Sequence, residues 1–220
     1  MSKLLRYYAP GQCCFITSVT ANRQPILDHH ADLLFRAVRR AHKELQFTMV
    51  AWVVLPDHLH TLIECPAGDL PRIAQRVKLS FSLQYRLLHQ TTGPVWQRRY
   101  WDHIIRSAVD LKRHLDYIHY NPVKHGLADS PKKWLLSSFH RYLKNGAYDP
   151  DWAENMMRSR MNHSESDRRF QAAGLKTNPP YTVSGKDGVR AILFPSPATC
   201  TFGNSPNSVA RISAAFSPER

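Results

Sequence analysis

Pro56-Asp57 parts two short runs of β-branched and apolar residues, 47–55 and 60–64, that lie too close together for anything but a tight reversal. The stretch therefore has to fold as an antiparallel pair of strands joined by a turn. That constraint also places two histidines. His58 and His60 fall at the start of the second strand, and residues two apart on a strand share a face, so both imidazoles point one way while Leu59 turns into the core. Two imidazoles on one face can share a cation. The spacing alone is weak evidence, since 12 histidines in 220 residues give about 0.6 His-x-His pairs by chance. Its weight comes from the strand Ala51-Trp52-Val53-Val54-Leu55 and the turn that fix the pair at a sheet edge.

The rest of the pattern extends this hairpin into a domain. Residues 12–20, with Cys-Cys-Phe-Ile-Thr-Ser-Val-Thr, read as a first strand ended by the turn-like Ala21-Asn22-Arg23-Gln24-Pro25. Residues 28–45 place Leu33, Leu34, Ala37, Val38, Ala41 and Leu45 at helical spacing, with a cap expected near Asp28. A second amphipathic helix is expected over 71–89, its apolar positions being Ile73, Val77, Phe81, Leu83, Tyr85, Leu87 and Leu88. A fourth strand follows over 99–106 and a third helix over 109–120, which should end near Asn121 because Pro122 disfavours helical geometry before it. The order β-α-β-β-α-β plus a helix predicts an α+β fold, a ferredoxin-like split βαβ with an antiparallel sheet and helices on one face. The other face is then free to carry a site. Residues 1–153 form this domain. Residues 154–220 read as a basic, Pro/Ser-rich tail, largely disordered, since six of the fifteen prolines lie beyond Met161 with little periodicity.

A formal charge of +13 exceeds what solubility needs and makes a polyanion the expected partner, nucleic acid first and anionic membrane second. There is no run approaching the roughly 20 apolar residues of a membrane span, and the start of the chain lacks a secretory pattern, so no membrane association and a cytoplasmic address are expected. Cys13 and Cys14 are adjacent while Cys65 and Cys200 stand alone, which gives no zinc-ligand spacing. They read as reduced packing residues.

On the third helix, Tyr117 and Asn121 are four apart and share a face, with Asp110 and His114 extending the stripe. Tyr120 competes, but it lies roughly 100° around the helix from Asn121, against about 40° for Tyr117. If Asn121 helps hold a metal, Tyr117 is the better-placed nucleophile. The plain alternative is that Tyr117, Ile118 and Tyr120 are the buried stripe of an amphipathic helix. Two imidazoles, an amide oxygen and waters suit Mg2+ or Mn2+ better than a closed zinc site, although zinc with a third histidine also fits.

These residues resemble the REP-associated tyrosine transposases, a branch of the HUH single-strand transposases. The likeness spans Arg6-Tyr7-Tyr8, the segment Trp52 through His60, Trp96-Gln97-Arg98-Arg99-Tyr100-Trp101-Asp102-His103, and Asp116 through Gly126. It continues through Trp134, Ser137-Ser138-Phe139-His140-Arg141 and Asp151-Trp152, about 150 residues in all. The resemblance implies that His58 and His60 bind a divalent metal with Asn121 as third protein ligand, where related insertion-sequence transposases commonly carry Gln. It implies that Tyr117, on a catalytic helix after the fourth strand, is the single nucleophile.

A phenol is a weak nucleophile at neutral pH and gains from a Lewis acid polarising the phosphate. Attack would leave a 5′-phosphotyrosine and a free 3′ hydroxyl, and a second 3′ hydroxyl could reverse the step and join strands. The acceptor of the tyrosine proton is open between His114 and a metal-bound water. The substrate implied is single-stranded DNA with a REP-like hairpin, bound by a nucleoid-associated monomer or homodimer. Arg6, Tyr7, Arg98, Arg99, Lys124, His125 and Arg141 are the expected DNA contacts, alongside aromatics such as Tyr8, Trp96, Tyr100 and Trp101 that could stack on bases. The competing readings are a domesticated, non-catalytic nucleic-acid binder and a metal-dependent DNA hydrolase in which water replaces Tyr117.

Overall fold

The strand-forming runs come together in one antiparallel sheet, β2-β3-β1-β4, built from β1 (Gln12–Val19), β2 (Thr48–Val54), β3 (His58–Cys65) and β4 (Trp101–Ile104). The structure, a computed structural model, describes residues 8–149, 151 and 152. Arg6, Tyr7, Cys200 and the tail from 154 lie outside the described residues. Between the strands run α1 (Ala31–Leu45) and α2 (Leu70–His89), and after β4 come α3 (Ala108–Lys124) and a short α4 (Phe139–Lys144). The split βαβ order expected from the sequence is therefore the order observed. None of the described helices is long and apolar enough to cross a membrane.

Period-two alternation gives the sheet two unlike faces. Ile16 and Ser18 of β1 and Leu59, Thr61 and Ile63 of β3 meet Val38 of α1 and Ile73 and Val77 of α2. Phe81, Leu62 and Leu70 are fully buried, each contributing about 1.5–3 kcal/mol by leaving water. The intervening residues, Phe15, Thr17, Val19, His58 and His60, point the other way and border a cleft against α3. The face left open by α1 and α2 is thus the one α3 crosses.

The hairpin that carries the histidines is pinned from both sides. Leu55 N–H donates to the His58 carbonyl at 2.9 Å. Thr20 grips the Asp57 carbonyl with its N–H at 2.9 Å and its hydroxyl at 3.0 Å. Beyond β2, the segment after α3 closes the sheet edge, which would otherwise offer unpaired backbone groups. Val54 N–H donates to the Leu136 carbonyl and Ser138 N–H to the Trp52 carbonyl, both at 2.9 Å, and Trp134 Nε1–H donates to the Val54 carbonyl at 2.9 Å. His119, fully buried on α3, is hydrogen-bonded to Ser138 Oγ at 2.7 Å and Tyr148 Oη at 2.9 Å. This fixes the rotation of α3 over the sheet.

Several expectations change. Asp28 is not the cap of α1, because its carboxylate accepts the adjacent His29 N–H at 2.9 Å and the helix begins only at Ala31, with His30 in the cap position. α3 does not stop at Asn121; it runs on to Lys124 with Pro122 inside. A proline costs the bond it would give four residues back, to the Ile118 carbonyl, but the next donors keep the turn going. His125 N–H reaches the Asn121 carbonyl at 3.0 Å and Leu127 N–H the Pro122 carbonyl at 2.8 Å. Pro122 is itself buried, so tertiary packing outweighs the local preference. On α2, Ile73, Val77 and Phe81 are core, whereas Leu83, Leu87 and Leu88 face solvent. β4 is shorter than expected, four residues instead of a run over 99–106.

Candidate active site

The cleft between the sheet and α3 has a volume of about 540 Å3, and His58, His60, His114, Tyr117 and His125 all border it. Strand register puts His60 opposite Thr17 and His58 opposite Val19. The two imidazole rings lie 4.8 Å apart, centroid to centroid, and the Tyr117 ring lies 5.2 Å from that of His60. Phe15 stacks against His60 at 5.4 Å. A strand and a helix distant in sequence have delivered two nitrogen ligands and a phenol to one place.

Hydrogen bonds orient the imidazoles. Asp57 Oδ1 accepts from His58 Nδ1–H at 2.6 Å, and Oδ2 pairs with Arg23 Nε at 3.3 Å. Burial alone would push the Asp57 carboxyl up, but the His58 hydrogen bond and the Arg23 charge hold it below the ordinary carboxylate value. His60 Nδ1 lies 2.8 Å from Thr17 Oγ1, and its Nε2 is buried with no hydrogen-bond partner. Burial, reinforced by His58, His125 and Lys124, holds His60 well below the ordinary histidine value. Its ring is therefore neutral at pH 7, the form in which imidazole binds metal. A carboxylate or hydroxyl behind each imidazole is the usual support of a metal-ligating histidine.

Asn121 is fully buried on α3, one turn from Tyr117 and one turn from His125, and its Oδ1 is also buried without a hydrogen-bond partner. Unsatisfied buried acceptors are costly, and a cation between these two facing elements would relieve both. The donor set His58, His60 and Asn121 fits a divalent cation on this ground.

Tyr120, the competing tyrosine, is buried and packs edge-on to Trp152 at 6.3 Å, away from the cleft. His125 was expected on a DNA-binding surface, yet it is only 2% exposed and its ring lies 5.2 Å from that of His58. Burial and the neighbouring His58 and Lys124 push it down to about 4. It belongs with the histidine cluster because α3 continues past Pro122, which the sequence reading did not allow. Lys124 Nζ sits 4.9 Å above the Tyr117 ring, where it can meet a phosphate. Arg98 and Arg99 are exposed in the segment before β4. Arg141 is instead committed to the fold, donating to the Val50 carbonyl and lying 5.4 Å over the Tyr142 ring.

Among the aromatics, Trp96 is core while Trp101 is 56% exposed and borders the cleft. Tyr8 is buried and donates to Asp102 Oδ2 at 2.8 Å, so it cannot stack on a base as expected. Arg23 and Arg113, which also line the cleft, were not singled out from the sequence. Arg113 could have been, since it lies four residues before Tyr117 on the same helix face.

The family model described as IS200-like transposase matches residues 13–121. A REP-associated tyrosine transposase of Escherichia coli (strain K12) is 36% identical over 156 residues, which cover 70% of this chain and 92% of that protein. A Haemophilus influenzae relative bearing the same family name is 37% identical over 169 residues, covering 70% of this chain and 95% of the relative. The solved structure of a REP-associated tyrosine transposase bound to a REP hairpin superposes with a TM-score of 0.63 at 34% identity, over 70% of this chain and 92% of that one. The chain belongs to the REP-associated tyrosine transposases.

Proposed function

We propose that this transposase cuts and rejoins single-stranded DNA beside REP-like hairpins by attack of Tyr117 on a phosphodiester. The observation that carries the reading is the meeting in one cleft of the Tyr117 phenol and the His58–His60 pair, with the buried Nε2 of the neutral His60 ring lacking a hydrogen-bond partner. His58, His60 and Asn121 would hold Mg2+ or Mn2+, which supplies Lewis-acid polarisation of a phosphate oxygen. The rest of the chemistry lies with the protein. Lys124, over the Tyr117 ring, and Arg113, which lines the same cleft, offer positive charge to the phosphate. Trp101 offers an exposed ring at the mouth of the cleft on which an unpaired base can stack.

In the reaction, the Tyr117 oxygen bonds to phosphorus as the bond to the 3′ oxygen breaks. The DNA 5′ phosphate stays on the enzyme and a 3′ hydroxyl is released. Because the phosphotyrosine keeps the bond energy, an incoming 3′ hydroxyl reverses the step and joins strands. The hairpin preference rests on the relative solved with a REP hairpin, and the exposed Arg98 and Arg99 are the residues proposed to meet its backbone.

The test is to incubate the protein with Mn2+ and single-stranded hairpin oligonucleotides labelled at either end, then resolve the products on a denaturing gel. A covalent adduct carrying the 3′ label, absent for Tyr117→Phe, is the expected result. Cut DNA with no adduct would replace this reading with hydrolysis by water, and tight binding without cutting would replace it with a non-catalytic binder.

A further inference from the structure

Beside the cleft, on the side of Tyr117 away from Lys124, Asp110 gathers two histidines. His114 Nδ1 lies 2.9 Å from the Asp110 carbonyl oxygen and 3.2 Å from its carboxylate Oδ1. His103 Nε2 lies 2.8 Å from Oδ2, which also accepts the Arg106 N–H at 3.0 Å. A carbonyl oxygen can only accept, so His114 Nδ1 must carry the proton, and the lone pair of a neutral ring is left on Nε2. His114 borders the cleft one turn before Tyr117 on α3. Its surroundings hold it in place: the His103 ring stacks on it at 4.7 Å from β4 and the Phe15 ring meets it at 4.8 Å from β1. The charged and titratable groups that pair with it or share its cleft are Asp110, Arg113 and Tyr117 on its own helix, His103 on β4, His58 and His60 on β3, His125 after α3, and Arg23.

We infer that His114 is the base that takes the Tyr117 proton, with Asp110 as the residue that orients it. The inference rests on the proposed role of Tyr117 as nucleophile. As the phenol oxygen bonds to phosphorus, its proton passes to His114 Nε2. The imidazolium so formed is stabilised by the Asp110 carboxylate, and the departing 3′ oxygen takes a proton from water. In rejoining, the incoming 3′ hydroxyl gives its proton to water and the leaving phenolate recovers its own from His114. This is the division of labour of an Asp–His pair serving a hydroxyl nucleophile. The same three side chains could be read as a cation site. That use would require His114 Nδ1 to shed its proton and leave the Asp110 carbonyl, or Asp110 to release the bonds that cap α3, where Asp110 N–H also meets Ser107 Oγ at 3.1 Å.

The experiment follows single-turnover adduct formation on a prebound hairpin oligonucleotide in Mn2+. Wild type forming the adduct and Tyr117→Phe forming none establish the premise; an adduct from Tyr117→Phe, or none from wild type, overturns the nucleophile assignment and this inference with it. Given the premise, His114→Ala should slow adduct formation by about 10²-fold or more while DNA affinity stays within about twofold. Added imidazole should restore at least tenfold of the rate, roughly one decade of the loss. The pH profile of His114→Ala should differ from that of wild type, its rate rising steadily with hydroxide where the rate of wild type reaches a plateau. Asp110→Asn should also be slow without imidazole rescue, because the ring still fills its place while the imidazolium loses the charge of the carboxylate. Adduct formation by His114→Ala within threefold of wild type overturns the inference, as does a loss with neither rescue nor an altered pH profile. Calorimetric titration of the His58→Ala/His60→Ala protein with Mn2+ should show no uptake that depends on Asp110; uptake abolished by Asp110→Asn assigns the cluster to a cation and overturns it too.

Discussion

The two faces of β3 make opposite use of one strand. Leu59, Thr61 and Ile63 meet the apolar side chains of α1 and α2, while His58 and His60, one residue out of phase, meet α3 and the cleft. On the first face apolar packing dominates. On the second, hydrogen-bonding capacity is left over, at His60 Nε2 and, across from it on α3, at Asn121 Oδ1. An unsatisfied buried acceptor forgoes about 1–3 kcal/mol, a cost that a bound cation would relieve. The core face holds the site face in place, and the proposed chemistry belongs to the site face.

The largest effect should come where the site face meets α3. Tyr117→Phe removes one oxygen at a position that packing does not need, so melting temperature should hold while adduct formation falls by about 10⁴-fold or more. Tyr120→Phe, on the buried side of the same helix, should keep most of the activity. If Tyr120→Phe is the inactive variant, the assignment of nucleophile by helix face fails.

The two tryptophans on either side of the sheet sharpen the contrast at the next level. Trp96→Ala empties a core position, where the ring lies 5.4 Å from Phe81. It should cost about 3–5 kcal/mol of stability, read by chemical denaturation. Trp101→Ala removes an exposed ring and should change stability by less than about 0.5 kcal/mol, while weakening single-stranded DNA binding by about 1–3 kcal/mol if a base stacks on it. Equal stability losses would mean that Trp101 is structural after all.

How much of this could be read from the sequence follows from which signals are local. The turn at Pro56-Asp57 and the alternation around it specify the hairpin and the shared face of His58 and His60, because both depend on residues a few positions apart. Helix geometry likewise puts Tyr117 and Asn121 on one stripe. What escaped the reading depends on contacts between distant segments. Asp28 looks like a cap, but the turn after Ile26 delays the helix to Ala31, with Leu27 N–H taken by the Pro56 carbonyl at 2.8 Å. Pro122 looks like a stop, but the buried turn around it carries α3 on and brings His125 to His58. Arg141 looks like a phosphate contact, but the edge of β2 claims it through the Val50 carbonyl.

A divalent cation should stabilise one face only. At Mn2+ a hundredfold above its dissociation constant the gain is about 2.7 kcal/mol, read as a rise in melting temperature. His58→Ala/His60→Ala should abolish the rise, while Glu64→Gln, a change at a buried carboxyl that burial raises to about 7, should leave it intact. A rise that survives the double substitution would place the cation elsewhere.

The smallest effect separates a histidine of the fold from the histidines of the site. His119, buried between Ser138 and Tyr148, is pushed down to about 3 by burial, with Arg141 and His140 adding to the shift. The unfolded chain therefore takes up this proton first as pH falls. The stabilising contribution is complete above the unfolded value near 6.5 and is lost progressively as pH drops from there towards about 3. Between pH 7 and 5.5 the loss from one such residue is about 1 kcal/mol. His119→Gln, which can still reach both hydroxyls, should flatten the stability–pH curve by that amount with or without Mn2+. His60 and His125 are shifted the same way, but Mn2+ should steepen the acid loss only while His58 and His60 are present, because metal and protons compete for the same neutral rings. Denaturant melts across this pH range, with and without Mn2+, read the difference directly; a slope in His119→Gln unchanged from wild type would mean that His119 takes up a proton without disturbing the fold.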